Sequence, residues 1–244
     1  MSDFRFGRVL VVTGAGISAE SGIPTFRGKE GYWRNLDPAQ LATPEAFARD
    51  PQLVWEWYRE RRQRIRAAQP NAAHESVVKL AQQSHDFLLV TQNVDNLHTR
   101  ASTDGVQLSE EKIVRIHGDI FVTRCSNCEF AFRETEQDSD GLPKCVHCDA
   151  LMRPGVVWFG EQLDSHQILR VENFLAEGSC DVVIVIGTTA IFGYIIDWSV
   201  RAGGEKGQLI EINPAKTALS RFARRTIREP AAVALPRLLR ELMT

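Results

Sequence analysis

The stretch RVLVVTGAGISAESG, residues 8–22, decides the fold class. Its apolar run is too short for anything but a strand buried on both faces, and it breaks at once into glycine. Gly14, Gly16 and Ala19 then satisfy a relaxed G-x-G-x-x-A pattern at an expected helix start. Glycines in such a turn let backbone approach a pyrophosphate, whose charge amide N–H groups and a helix dipole can meet. Three further runs, DFLLVTQNVD, DVVIVIGTT and QLIEIN, have the same character, with helical stretches between them. The expectation is therefore an α/β chain on a parallel, Rossmann-like sheet. One element of a dehydrogenase is absent: no second strand closes in an acidic residue about twenty positions on. Instead the chain turns into GIPTFRGKEGYW, residues 22–33, which argues against plain hydride chemistry.

Between the strands, Thr43-Pro44 and Asp50-Pro51 read as N-caps followed by proline at the first helical position. Asn71 caps a third helix, and a fourth runs from Asp164 to just before Gly178. The helix that follows Asp50 carries two stripes. Val54, Tyr58, Arg61, Ile65 and Ala68 fall on one, Trp55, Arg59, Arg62 and Arg66 on the other. Arg61 thus shares a face with apolar residues, either with its guanidinium reaching out to water or as a receptor for a carboxylate.

Cys125-x-x-Cys128 and Cys145-x-x-Cys148 are separated by sixteen residues. Two-residue spacing brings both sulfurs of a pair to one tetrahedral ion, and four thiolates leave no open position, so a structural zinc is expected. His147, between two of these ligands, is read as a bystander. Polar residues collect at strand ends in TQNVDNLH, 91–98, and IVRIHGD, 113–119. In an open α/β sheet that is where ligands bind, so Gln92, Asn93, Asp95 and His117 are candidates to meet at one molecule. His74, at a helix start, is read as structural or solvated.

The chain has 244 residues and a formal net charge of -2, so charge gives no reason to expect nucleic acid or a membrane as partner. No apolar run can span a bilayer and no signal peptide is visible ahead of Val9, so a cytoplasmic protein is expected. Its cysteine usage fits a reducing compartment. A monomer is expected.

GAGIS, GIPTFRG, TQNVD, an HG dipeptide before four paired cysteines, RPGVVWFGE, GTT and IEIN occur in one order. In that order they resemble the sirtuins, NAD-dependent protein lysine deacylases, from Val9 to about Leu239. The resemblance implies a discontinuous NAD-binding domain of residues 1–34, 76–120 and 156–244. A small domain would be built from a helical insertion, 35–75, and a zinc module, 121–155. Gly14, Ala15, Gly16 and Ala19, with Phe26 and Arg27, would surround pyrophosphate and ribose. Gln92, Asn93 and Asp95 would handle the nicotinamide ribose, and Gly187, Thr188, Asn213 and the backbone at Ala232 the adenosine half. His117 would be the general base, with Asn93 and Asp95 as catalytic partners.

The implied substrates are NAD and an acylated lysine side chain of a protein. The acyl oxygen attacks the ribose as nicotinamide leaves, and His117 then takes a proton from a ribose hydroxyl that attacks the imidate, giving 2'-O-acyl-ADP-ribose. The peptide would add as a strand between Val156, Val157, Trp158, Phe159, Gly160 and Glu161 on one side and residues 192–194 on the other. Tyr58-x-x-Arg61 matches the class III branch, which prefers succinyl-, malonyl- and glutaryl-lysine, and Thr25 fits that branch too. Departures from the family pattern fall at Asn96, in GTT for GTS, at Gly155, and at Glu229, near the adenine contacts. The competing expectations are a mono-ADP-ribosyltransferase, which would use the same NAD residues, and a non-catalytic NAD-sensing module.

Overall fold

The computed structural model describes residues 5–25, 36–134 and 141–243. Along the chain come β1 (Phe6–Thr13), α1 (Pro38–Leu41), α2 (Pro44–Arg49), α3 (Pro51–Ala67), α4 (Ala72–Gln82) and β2 (Ser84–Thr91). Then follow α5 (Leu97–Arg100), a hairpin of β3 (Ser102–Thr103) and β4 (Val106–Gln107), β5 (Ile113–Arg115), β6 (Gly118–Cys125), β7 (Ala131–Arg133) and β8 (Met152–Val156). The last part holds α6 (Ser165–Ala176), β9 (Val182–Ile186), α7 (Gly193–Gly203), β10 (Gln208–Ile212), β11 (Arg225–Ile227) and α8 (Ala231–Leu242).

Six strands form one sheet in the order β11-β10-β9-β1-β2-β5, every neighbouring pair parallel. Successive side chains of β1 point to opposite faces, and both faces are covered. Val9 and Val11 pack with Val77 and Leu80 of α4 and Leu235 and Leu238 of α8. Leu10 and Val12 pack with Val171 and Phe174 of α6 and Ile195 and Trp198 of α7. This double burial is why the strands read as continuous apolar runs rather than alternating ones. The connections leave β1 in one direction towards β2 and β5 and return to its other side at β9. The strand order therefore reverses between β1 and β9, and a crevice opens at the carboxyl ends of those strands.

The caps read from sequence are present. Thr43, Asp50 and Asn71 accept from the amides of Ala46, Leu53 and Ala73, and Asp164 from those of His166 and Gln167. One expectation fails: no α-helix follows the glycine-rich turn. Ala15–Ile17 and Ala19–Ser21 are two single 3₁₀ turns, ended by Gly22 in the left-handed region (φ 84°). Their amides bond within the turn and to β9, Gly16 N–H donating to the Gly187 carbonyl at 2.8 Å. The turn after β1 therefore brings no long-helix dipole of its own to the crevice; the helix N-termini at its lining are those of α7, at Phe192, and α8, at Pro230. The glycines serve close approach: a Cβ on Gly16 would lie 2.6 Å from the Gly187 Cα.

A three-stranded antiparallel sheet, β7-β6-β8, carries the cysteines. It packs with α1 to α3 around Leu41, Val54, Trp57, Ile120, Phe121 and Trp158. Gly155 is explained here, because a Cβ would fall 2.6 Å from Val122 Cγ1 on β6. Both helix stripes of α3 are dry at their centres. Trp55 and Arg62 are buried, although the second stripe carries mostly arginines. Arg62 donates to the carbonyls of Ile120 (2.6 Å) and Val122 (3.2 Å) and to Thr123 Oγ1 (3.1 Å). Trp55 Nε1–H donates to the Met152 carbonyl at 2.9 Å. These bonds tie α3 to β6 and β8.

Candidate active site

A cavity of about 1040 Å³ occupies the crevice and continues between the large sheet and the α1–α3 layer. That is the upper end of the range for small-molecule sites, enough for an extended ligand with a second one beside it. Gly14, Ala15, Gly16 and Ala19 line it from the turn after β1, Gln92, Asn93 and Asp95 from the end of β2, and His117 from beyond β5. Gly187, Thr188 and Asn213 line it from just beyond β9 and β10, Tyr58 and Arg61 from α3, and Thr25 from the segment after the 3₁₀ turns. Val156, Val157, Trp158, Phe159, Gly160 and Glu161 line it as well. Residues more than 150 positions apart are thus gathered by strand order.

The polar groups at the strand ends hold one another. Asn93 Nδ2 donates to Ser18 Oγ (3.1 Å), and Ser18 donates to Asp95 Oδ2 (2.9 Å), whose other oxygen accepts from the Leu97 amide (3.0 Å). Burial raises the pKa of Asp95, and the Leu97 and Ser18 bonds and the nearby Arg61 charge oppose that rise. Ser18 was not singled out from sequence, although it closes the GAGIS motif. Behind it, His74 Nδ1 accepts from the Asn71 amide at 3.3 Å, so the proton sits on Nε2, 3.5 Å from Ser18 Oγ. His74 is structural and buried, and burial lowers its pKa to about 4. Gln92 accepts from Thr188 Oγ1 at 3.2 Å and donates to the Thr13 carbonyl at 3.2 Å. Asn213 Nδ2 donates to the Thr188 carbonyl at 2.7 Å. His117 Nδ1 lies 3.0 Å from the Gln92 carbonyl, and burial lowers the pKa of the ring while that contact opposes the shift.

At α3, Trp158 Nε1–H donates to Tyr58 Oη at 2.9 Å, which leaves the phenol its own proton to give. Burial pushes the Tyr58 pKa up to about 12, so it stays protonated. The Arg61 guanidinium lies 4.8 Å from the Trp57 ring centre and 5.8 Å from that of Tyr58. Burial works against its charge, and the Asp95 carboxylate supports it. Arg61 is therefore not a solvated arginine: the surface it keeps faces the cavity. Glu161 also lines the cavity, but its carboxylate is bonded to Arg153 (2.5 and 2.9 Å) and to the Trp158 amide (2.8 Å).

Three expectations are placed differently by the structure. Ala232 is not a lining residue: its amide donates to Glu20 Oε2 at 2.7 Å, and Pro230 and Ala231 line the cavity instead. The second edge for a peptide strand, residues 192–194, is the start of a helix, with Phe192 as N-cap and Gly193 as the first residue of α7. On the first edge, the N–H groups of Val157 and Phe159 already donate to the carbonyls of His117 and Ala42, both at 2.9 Å. Phe26 and Arg27 lie outside the described residues. Glu229 does not approach the cavity lining, because Arg237 holds it with two bonds of 2.7 and 2.8 Å.

The four cysteines converge. Sγ to Sγ distances are 3.5 Å for Cys125 and Cys148, 3.6 Å for Cys128 and Cys145, and 3.7 Å for Cys128 and Cys148. Zn–S bonds of about 2.3 Å in a tetrahedron require sulfurs about 3.8 Å apart, so the set fits one zinc ion. Amides of Asn127, Cys128 and His147 point at the Cys125 and Cys145 sulfurs at 3.3 to 3.4 Å, as thiolates require. His147 is exposed and stacks on Phe130, away from the ligand set. Zinc held here is structural, because the four thiolates fill its coordination sphere.

Residues 14–192 match the Sir2 family. A curated protein of Aquifex aeolicus, named NAD-dependent protein deacylase, is 42% identical over 231 residues, covering 94% of this chain and 93% of its own. An Archaeoglobus fulgidus protein, NAD-dependent protein deacylase 1, is 40% identical over 235 residues, 96% of this chain and 92% of its own. Among solved structures, a Sir2 homologue in complex with NAD superposes with a TM-score of 0.87 at 39% identity, covering 99% of this chain and 91% of that one. A mutant Sir2 homologue in complex with 2'-O-acetyl ADP-ribose gives 0.86 at 39% identity, covering 97% and 92%. The chain belongs to the Sir2 family. Within that family it is an enzyme of the NAD-dependent protein deacylase class.

Proposed function

We propose that this enzyme removes acyl groups ending in a carboxylate, such as succinyl or malonyl, from lysine side chains of proteins, with acetyl groups as weaker substrates. The observation that carries this reading is the position of Arg61 beside Tyr58 in the lining of the cavity that His117 also lines. A planar guanidinium clasps a carboxylate through two N–H bonds, and the Tyr58 hydroxyl supplies a third. A neutral acetyl group offers that guanidinium no carboxylate to clasp, so the pocket favours acidic acyl groups over it.

In this reading NAD lies along the strand ends, on Gly14 to Ala19, Gln92, Asn93, Thr188 and Asn213. The Asn93–Ser18–Asp95 chain orients the nicotinamide ribose. The acyl oxygen reaches the ribose from the Arg61 side, and nicotinamide leaves. His117 accepts the proton of the ribose hydroxyl that attacks the resulting imidate, and the acyl group departs on ADP-ribose. The large sheet with its helices forms the NAD-binding domain, and α1–α3 with the zinc sheet forms the small one. The zinc module acts by placement: through Trp55 and Arg62 it fixes α3, and α3 carries Tyr58 and Arg61.

The test uses two peptides of identical sequence, one succinylated and one acetylated, with NAD present and absent, followed by mass spectrometry. The expected result is NAD-dependent release of soluble acyl-ADP-ribose, at least tenfold faster from the succinyl peptide. Equal rates would refute the acidic preference. ADP-ribose left attached to protein would identify a transferase instead.

A further inference from the structure

His117 presents its two ring nitrogens to different partners. The Gln92 carbonyl near Nδ1 can only accept, so Nδ1 carries the proton. Burial keeps the ring neutral near pH 7, which leaves Nε2 with its lone pair. That lone pair does not face an open cavity. Tyr194 Oη lies 2.8 Å from it and donates its proton there. The Tyr194 ring stacks on Phe192 (5.5 Å, 10°) and touches Trp198 (5.1 Å), while Phe192 meets the His117 ring edge-on at 5.7 Å. Tyr194 and Phe192 both line the cavity and are only half-buried. Gly193 between them begins α7, and the Tyr194 side chain borders the cavity into which its hydroxyl can turn.

We propose that Tyr194 is a placeholder on His117: without substrates its hydroxyl occupies the place on Nε2 that the attacking ribose hydroxyl takes during the reaction. The Gln92 contact at Nδ1 orients the ring, so the Tyr194 hydroxyl only competes for Nε2 and must yield before His117 can receive the ribose proton. This rests on the assignment of His117 as general base. The sequence reading placed Tyr194 only in the 192–194 edge for a peptide strand and not beside His117, because the two lie 77 positions apart in the chain.

Loss of nicotinamide does not use His117 in this mechanism, whereas acyl transfer does. The two rates therefore separate an effect on the base from a general loss of structure. In Tyr194→Phe the aromatic stack remains and the competing hydroxyl is gone. Acyl-ADP-ribose formation, divided by exchange of labelled nicotinamide into NAD with the same acyl peptide, should rise about two- to tenfold, the equivalent of one neutral hydrogen bond. In the ligand-free protein labelled with ¹⁵N-histidine, the Nε2 signal of His117 should move in Tyr194→Phe while Nδ1 stays. An unchanged or lower ratio, or an unmoved Nε2 signal, overturns the proposal. A His117→Ala protein that still transfers the acyl group overturns the underlying base assignment, and the NMR result then stands apart from it.

Discussion

Replacing Arg61 by Met removes the cation while keeping an unbranched stem between the Trp57 and Tyr58 rings. A hydrogen bond to a charged group contributes about 1.5–3 kcal/mol, and a carboxylate clasped by a guanidinium makes two, so non-additivity leaves about 3 kcal/mol as a working figure. At 1.36 kcal/mol per tenfold, kcat/KM for a succinyl peptide should fall by roughly a hundredfold. The acetyl peptide, which has no carboxylate for Arg61 to clasp, should change by less than about threefold. Arg61 also supports the charge of Asp95, so the substitution can weaken NAD binding. Measuring both peptides at saturating NAD cancels that effect in the ratio. The assay is steady-state release of nicotinamide with product identity checked by mass spectrometry. Arg61→Lys, a point charge without the fork, should fall between the two. A succinyl/acetyl ratio that changes by less than threefold in Arg61→Met refutes the carboxylate receptor.

The remaining expectations concern pH, metal and packing. His117 must be neutral to accept a proton, and its folded pKa lies below 6.5, so the acid limb of kcat/KM should fall below pH 6.5; a limb centred above 7 contradicts it. His74, lowered from 6.5 to about 4, binds fewer protons folded than unfolded, so its contribution is complete above pH 6.5 and fades as pH falls towards 4. That shift corresponds to about 3 kcal/mol, and urea unfolding of His74→Asn at pH 7 and pH 4.5 should show a smaller loss between the two than the wild-type protein does. Cys145→Ser should abolish the one-to-one zinc content read by atomic absorption and lower the unfolding temperature together with activity. Gly16→Ala should weaken NAD binding by calorimetry at least tenfold, because its Cβ meets the Gly187 backbone at 2.6 Å; unchanged affinity would show that the turn can shift.

Much of the scaffold was legible because its signals are local. A strand buried on both faces must be apolar throughout, as Val9 to Val12 and Val182 to Ile186 are, and a cap needs only a side chain two or three positions from its amide. The cysteine pairs carry their geometry in their spacing. Strand ends collect ligands in any sheet of this order, so Gln92, Asn93, Asp95, His117, Thr188 and Asn213 fell into one cavity. The 3₁₀ turns after β1 were not legible. G-x-G-x-x-A describes a tight backbone approach and is silent on whether an α-helix continues, and the chain's need to leave the sheet for α1 decides that.

The arginines of α3 show where periodicity stops being informative. A helical stripe argument assumes one dry face, and α3 has two: one side meets the β6–β8 sheet and another the cavity, while Glu60, Gln63 and Arg64 keep the wet side. Two arginines on adjacent stripes are consequently both enclosed but serve different ends. Arg62 spends its N–H groups on the Ile120 and Val122 carbonyls and Thr123, backbone and hydroxyl partners supplied by the fold itself. Arg61 stands one residue earlier, about 100° round the helix, where the wall is cavity rather than sheet. The chemistry of the side chain is the same in both, and only tertiary placement makes one a tie between layers and the other a candidate receptor. Substitution should separate them cleanly: Arg62→Met strands buried carbonyls and lowers stability for every substrate alike, whereas Arg61→Met alters which acyl group is chosen.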